Sequence, residues 1–293
     1  MHAKRGVARA QSAMEYLATY GWAILIIAVV LATLFSLGIF SPGNFAPKAS
    51  PGSCQVYRPG GPLSISGIAL TGLCNGELPE YAANFPTSSS VVTLNKINGL
   101  GTSLTSNAPF SASLWLNLAG FPGAYYSILT YGNPSNGGWY LRTSNSGTNY
   151  IDFRFNECSS ADCECSLVFP LLSSNTWYYV VITYNGVVGK IYFNGQSSGS
   201  ATCSDAVTAA TPQIGGGWLG YLSNVQIYNT SLSANEIQYL YTEGIGGAPL
   251  VLQNLVGWWP LNGNTNDYSG DNLTGTNNGA TFTSSWTSGY TAP

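Results

Sequence analysis

The chain has 293 residues, with 12 acidic and 9 basic side chains, a single histidine and a formal net charge of −3. Charged residues make up 7% of it, against roughly 25% in an ordinary soluble domain. The one histidine is His2, which argues against His-based acid/base catalysis, Ser-His-Asp triads and His-ligated zinc in the rest of the chain. Without a Lys/Arg cluster beyond the N-terminus there is no electrostatic footprint for nucleic acid.

Three of the nine basic residues, Lys4, Arg5 and Arg9, fall in the first nine positions, and residues 16–40 carry no charge. Those 25 residues, at about 1.5 Å rise each, are long enough to cross a hydrocarbon core of roughly 30 Å with some tilt. The charge asymmetry predicts the N-terminus inside and the C-terminal domain extracellular, as a single-pass protein of the cell membrane. Ser41-Pro42-Gly43 ends the helix, and the Pro/Gly/Ser-rich stretch 41–53 reads as a linker.

A secretory signal places small residues after its apolar core. Here they come before it, in Ala8-Arg9-Ala10-Gln11-Ser12-Ala13-Met14-Glu15-Tyr16. This segment, with the following AMEYLATYGWAIL, resembles the class III signal peptide of archaeal type IV pilin-like proteins. The resemblance implies a leader over 1–10, cut by a prepilin-type peptidase between Ala10 and Gln11, and a hydrophobic transmembrane and assembly helix over 11–40. It also implies that Glu15, the fifth mature residue, pairs with the new amine of a neighbouring copy during assembly. The plainer alternative is a membrane anchor in which Glu15 snorkels to the interface.

From about Gln55 onward, apolar and aromatic runs alternate with Asn/Gly/Ser turns, the pattern of an all-β sandwich or barrel. The clearest predicted strands are 91–94, 110–118, 126–131, 139–143, 150–155, 177–184, 190–193 and 220–228. Asn185-Gly186 and Asn194-Gly195 supply hairpin turns. Ser233-Ala234-Asn235-Glu236 is a capping box opening a short helix with Ile237, Tyr239 and Leu240.

An ordered series of motifs runs through this region: Ala83-Asn84-Phe85 with Val91-Val92-Thr93-Leu94, FSASLWL from Phe110, NTWYYVVITYNG from Asn175, IYFNG from Ile191, and GYLSNVQIYN from Gly220 followed by LSANEI from Leu232. The series resembles the laminin-G-like (concanavalin A-like) jelly-roll superfamily, which implies such a sandwich over 54–293. One departure stands out. LVGWWPLNG from Leu255, leading to Asp267-Tyr268-Ser269-Gly270, resembles the opening strand and loop of such domains, yet stands last. It either begins a truncated second copy or closes the same sandwich by circular permutation. The second reading is favoured, because so short a remainder cannot bury its own Trp258-Trp259 pair.

The six cysteines, Cys54, Cys74, Cys158, Cys163, Cys165 and Cys203, all lie on the expected external side, where an even count implies disulfides. Cys54 and Cys74 bracket one segment and are expected to pair; the pairing of the other four is open. Cys163-Glu164-Cys165 lacks the paired knuckles of a zinc site. Asn229-Thr230-Ser231 and Asn272-Leu273-Thr274 are glycosylation sequons.

Jelly rolls host glycosidases, which need two carboxylates about 5 to 9 Å apart. The best pair is Asp152 and Glu157, but an odd separation puts them on opposite faces of a strand, and Arg154 suits Asp152 as a salt-bridge partner. The expectation is therefore a non-catalytic protein with no cofactor. Surface carbohydrate is the expected ligand class. Trp139, Trp218 and Trp286, in Gly-rich or polar surroundings, are candidates to stack on sugars, whereas Trp115 and Trp177 read as core. Asn264, Asp267 and Asp271 offer oxygen ligands for Ca²⁺, although such a loop is more often a simple turn. The function this points to is a pilin-like structural or adhesive surface protein, the alternative being a membrane-anchored lectin.

Overall fold

The computed structural model describes residues 20–33, 54–57, 67–70, 78–97, 100, 108–120, 125–132, 138–143, 150–155, 165–169, 172–203 and 210–293. The chain divides into two compact units, Met1–Ala49 and Ser50–Pro293. In the first, residues 20–33 form helix α1, apolar on all sides and exposed throughout, with Trp22 68% and Ile24 66% exposed. Among the described residues no helix is long and apolar enough to cross a membrane, so the spanning helix expected over 11–40 is not shown by them. Ala10, Gln11 and Glu15 lie outside the described residues.

The second unit is a two-layer β-sandwich. A separate antiparallel pair, β1 (Cys54–Tyr57) and β2 (Gly67–Leu70), precedes it. The strands that follow are β3 (Ala82–Phe85), β4 (Val91–Thr93), β5 (Phe110–Leu118), β6 (Ser127–Tyr131), β7 (Trp139–Thr143), β8 (Ile151–Phe155), β9 (Cys165–Val168), β10 (Trp177–Tyr184), β11 (Val188–Phe193), β12 (Gln196–Thr202), β13 (Pro212–Gly215) and β14 (Gly220–Tyr228). Helix α2 (Ala234–Thr242) comes next, then β15 (Leu255–Trp259), β16 (Thr276–Asn278) and β17 (Thr281–Thr283). One sheet runs β12-β11-β10-β5-β14-β3-β17, with β15 also paired to β14; the other runs β16-β4-β13-β6-β7-β8-β9.

The expected strands 110–118, 139–143, 177–184 and 220–228 coincide with β5, β7, β10 and β14. Each is long enough to display its alternation, and the apolar set faces the opposite sheet. Leu114 and Leu116 of β5, Val180 and Ile182 of β10, and Leu141 and Phe153 of the second sheet form one inter-sheet core. Asn194 and Gly195 both take positive φ, 48° and 78°, the conformation that a two-residue turn between β11 and β12 requires. The capping box is realised in full: the Glu236 backbone N–H donates to Ser233 Oγ, and the Ser233 backbone N–H donates to the Glu236 carboxylate. On α2, Ile237 and Leu240 are buried, whereas Tyr239 is half exposed.

β12, with the sequence QSSGSAT, was not expected; it has no apolar alternation and forms as an exposed edge by pairing with β11. The serines and Asn117 of β5 are a further difference. Period-two alternation implies one wet face, yet Ser111, Ser113 and Asn117 are buried. A second apolar layer covers the outside of this sheet, where Trp115, Trp177, Tyr179, Ile237, Leu240, Trp258 and Trp286 pack together. Small hydroxyls let chain approach closely: Ser111 Oγ donates to Thr230 O at 2.8 Å and accepts from Leu232 N at 2.9 Å.

The segment 250–293 adds to both sheets of the same sandwich. β15 lies antiparallel to β14, β17 to β3, and β16 to β4. Trp259 is fully buried and donates from Nε1 to Leu273 O at 3.0 Å.

Candidate functional site

Asp152 is 2% exposed. Its Oδ1 accepts from Arg142 Nε at 2.9 Å and its Oδ2 from Arg154 Nε at 2.9 Å and Arg142 Nη2 at 3.3 Å. The Arg154 partnership was legible from the i, i+2 spacing on one strand face. Arg142 was not, because the register of β7 against β8 places it opposite Asp152. The Arg142 guanidinium also lies 3.9 Å from the Tyr125 ring centre and 4.3 Å from that of Tyr140. Both oxygens of this carboxylate are thus engaged by arginine N–H donors. Glu157 lies outside the described residues.

The tryptophans proposed to stack on sugars are placed otherwise. Trp139 and Trp218 are fully buried between the sheets, and Trp286 is 1% exposed beneath the outer layer. Trp139 stacks on Phe110 at 5.2 Å, and Trp286 meets Trp177 edge-on at 5.7 Å. Polar neighbours in sequence suggested loops at these positions, but apolar area of this size is strongly driven into any enclosed space the fold provides. Trp115 and Trp177 are buried as expected, on the outer face of the first sheet.

The loop holding Asn264, Asp267 and Asp271 is organised around one carboxylate. Asp267 accepts from the Trp258, Ser269 and Leu273 backbone N–H groups and from the Ser269 hydroxyl, all between 2.8 and 3.0 Å. Asn264 Oδ1 accepts from Asn266 N at 2.9 Å, an Asx turn. Among the described residues no group of three or more His, Cys, Asp or Glu gathers as a metal site would. Of the sequons, Asn229 is partly buried and accepts from Asn254 Nδ2, whereas Asn272 is exposed with φ 57°. Cys203 is buried and engaged in a disulfide. The Cys54–Cys74 pairing and the arrangement of Cys158, Cys163 and Cys165 fall outside the described side chains.

A cleft that the sequence did not single out opens on the outer face of the first sheet. It holds about 200 Å³ and is lined by Trp115, Thr176, Trp177, Asn194 and Tyr241, with Tyr178 and the C-terminal Gly289, Thr291 and Ala292 completing the wall. Five parts of the chain meet there: the centre of β5, the start of β10, the 194–195 turn, α2 through Tyr241, and the C-terminal tail. The Asn194 backbone N–H donates to Tyr179 O at 2.8 Å, while its side-chain Oδ1 accepts from Tyr179 N at 2.9 Å, which fixes the turn. The Trp177 backbone N–H donates to Gly289 O at 3.1 Å. A Cβ at Gly289 would overlap the Asn175 carbonyl, and its φ of +76° also favours glycine, so the tail docks here because this residue has no side chain. Trp115 lies 5.9 Å from Tyr241 with rings 20° apart, and 5.3 Å from Tyr179. Among the described residues no acid, imidazole, thiol or amine side chain lines the cleft. Its lining combines aromatic rings with hydroxyl and amide groups.

Residues 87–238, just over half of the chain, match the laminin-G family described as the concanavalin A-like lectin/glucanases superfamily. Among solved structures the chain is similar to a carbohydrate-binding candidate from Bacteroides ovatus, at TM-score 0.53 and 18% identity over 70% of this chain and 60% of that one. It is also similar to a heptameric SAP-like pentraxin from Limulus polyphemus, at TM-score 0.48 and 12% identity over 70% of this chain and 95% of that one. The chain thus spans about 60% of the length of the Bacteroides ovatus protein, and at these identities the likeness is one of fold. No curated protein matches the chain in sequence.

Proposed function

We propose, from the premise that this chain belongs to the concanavalin A-like lectin/glucanases superfamily, that it is a non-catalytic binding protein of the cell surface, displayed as a pilin-like structural or adhesive subunit. The observation that carries the reading is α1. Every described residue of 20–33 is exposed, and the large apolar side chains from Trp22 to Leu31 point in all directions around the helix. A helix apolar all round is stable only against lipid or other helices. Before assembly the membrane provides the first, and a filament core of identical helices provides the second. In this reading the leader 1–10 keeps the positive charge inside, a prepilin-type peptidase cuts before Gln11, and Glu15 neutralises the amine of a neighbour.

Mass spectrometry of the mature protein tests this directly. The expected N-terminal residue is Gln11; an intact Met1, or a mature end elsewhere, overturns the pilin assignment. Electron microscopy of surface filaments, with Glu15→Ala as the comparison, tests assembly, and unchanged filaments in the variant remove the role of Glu15.

A second reading, a single-pass surface lectin that never polymerises, is favoured by the aromatic cleft of the outer sheet. It shares the binding domain and differs in showing no filaments. A glycan array run with and without Ca²⁺ tests carbohydrate binding for both, and a blank array in both conditions counts against it. A surface glycosidase has less support, because Asp152 is engaged by Arg142 and Arg154 and no carboxylate side chain among the described residues lines the cleft.

A further inference from the structure

The sandwich contains seven tryptophans besides Trp22 of α1. Four of their indole N–H groups have protein partners: Trp177 donates to Trp286 O, Trp258 to Asn224 Oδ1, Trp259 to Leu273 O and Trp286 to Pro79 O. The Nε1 atoms of Trp115, Trp139 and Trp218 are buried with no partner among the described residues. Trp139 and Trp218 lie within the inter-sheet core, whereas Trp115 lines the cleft. A buried N–H is costly to leave unmade, and natural folds leave few of them without a reason. Of the three, Trp115 alone also lines the cleft.

We infer that this cleft, between the start of β10, the 194–195 turn and the C-terminal tail, binds an uncharged pyranose ring, with the Trp115 indole N–H as the buried donor to a sugar hydroxyl. The inference rests on the reading of the sandwich as a carbohydrate-binding domain and assigns the place and the chemical class. Among the described residues the lining carries no charged side chain, so a charged ligand would lose hydration without gaining a counter-ion. An uncharged ring with one apolar C–H face suits aromatic walls. Its hydroxyls suit the remaining groups: the NH₂ end of Asn194, whose Oδ1 is already used by Tyr179 N, and the Thr176 hydroxyl, whose only bond among the described residues is a long 3.5 Å donation to Ser174 O. The volume of about 200 Å³ is below the roughly 300–1,000 Å³ of sites for drug-sized ligands. It takes a single ring, which makes this an end-on site for the terminal residue of a neutral glycan.

The test is saturation-transfer NMR on the full-length protein in phosphocholine micelles, chosen because they carry no sugar headgroup. The probes are the methyl pyranosides of glucose, galactose and mannose, with methyl glucuronide as the charged comparison. The expected result is saturation of ring protons for at least one neutral probe and none for the glucuronide. Trp115→Phe keeps the ring and removes the N–H, and is expected to weaken that signal at least fivefold with near-ultraviolet circular dichroism intact. Thr176→Lys fills the half-buried mouth without touching the core and is expected to abolish it. No saturation by any neutral probe, or a glucuronide signal equal to the neutral ones, overturns the inference. So does a signal that survives both variants, which places sugar elsewhere on the domain and leaves the binding reading standing. A glycan array positive only for longer or acidic glycans separates the two in the same way, whereas a blank array removes the reading itself.

Discussion

The Trp258 indole N–H donates to Asn224 Oδ1 across 2.8 Å, joining β15 to β14 through side chains as well as backbone. Asn224 sits at an irregularity in β14 with φ 51°, a conformation that asparagine tolerates better than most residues. Its carboxamide also accepts from Gln226 Nε2 and donates to Gly247 O, while the Tyr228 hydroxyl donates to Gln226 Oε1 at 2.6 Å. The network ties β14, β15 and the 244–250 loop together inside the outer apolar layer.

Asn224→Ala leaves the Trp258 indole, the Gln226 amide and the Gly247 carbonyl short of partners at a buried site. The expected cost is about 2–4 kcal/mol, the sum of more than one buried unsatisfied group. Urea unfolding of the variant measures it, and a loss below about 0.5 kcal/mol would show that the network relaxes onto other partners.

Trp286 anchors the C-terminal tail. It is 1% exposed, donates to Pro79 O at 3.0 Å and accepts from Trp177 Nε1 at 2.9 Å through its own carbonyl. Trp286→Ala creates a large cavity and is expected to destabilise by about 3–5 kcal/mol. It should also free the tail that walls the cleft, so limited proteolysis should cleave near residue 286 in the variant and spare the wild type.

Asp152→Asn removes the charge shared by two arginines whose side chains are 14% and 22% exposed. Stranding a partly buried cation pair is expected to cost about 2–4 kcal/mol, toward the lower end because both arginines reach solvent. A replacement of Arg142 or Arg154 in the Asp152→Asn background should then cost less than it does in the wild type. Additive losses in that double-mutant cycle would mean that the ion pairs contribute little.

Burial pushes the Tyr179 and Tyr228 hydroxyls above the ordinary tyrosine range. Raised folded-state values mean that the unfolded chain ionises first as pH rises. The contribution of these groups to stability is complete below about pH 10, the unfolded value, and is lost progressively above it. The urea midpoint should hold between pH 8 and about 9.5 and fall by pH 11. A midpoint unchanged to pH 11 would show that both hydroxyls reach water before global unfolding.

Much of the sandwich was legible because its central strands carry their own pattern. β5 alternates over nine residues, a period that states both the strand and its apolar face, while β10 is an eight-residue apolar and aromatic run whose β-branched content marks a strand. The Asn194-Gly195 turn and the Ser233–Glu236 cap are equally local, set by φ preferences and by hydrogen bonds spanning three residues. The cleft was not legible. Trp115, Asn194, Tyr241 and Gly289 stand far apart in the chain, and no local periodicity brings them together. The misplacement of Trp139, Trp218 and Trp286 has the same origin: neighbours in sequence suggested exposed loops, whereas the covering layers come from distant segments.

Local pattern along the chain specified what is one-dimensional: short strands with polar turns, a capped helix and an uncharged apolar stretch near the N-terminus. Tertiary structure alone decided that β15, β16 and β17 add to both sheets of the same sandwich, that Asp152 serves two arginines, and that an aromatic cleft remains with an unpaired indole at its wall. The physical reason is that periodicity reports which side of a strand is apolar, but not what will cover the other side. The serines of β5 illustrate it, reading as a wet face until α2 and the C-terminal tail pack over that sheet.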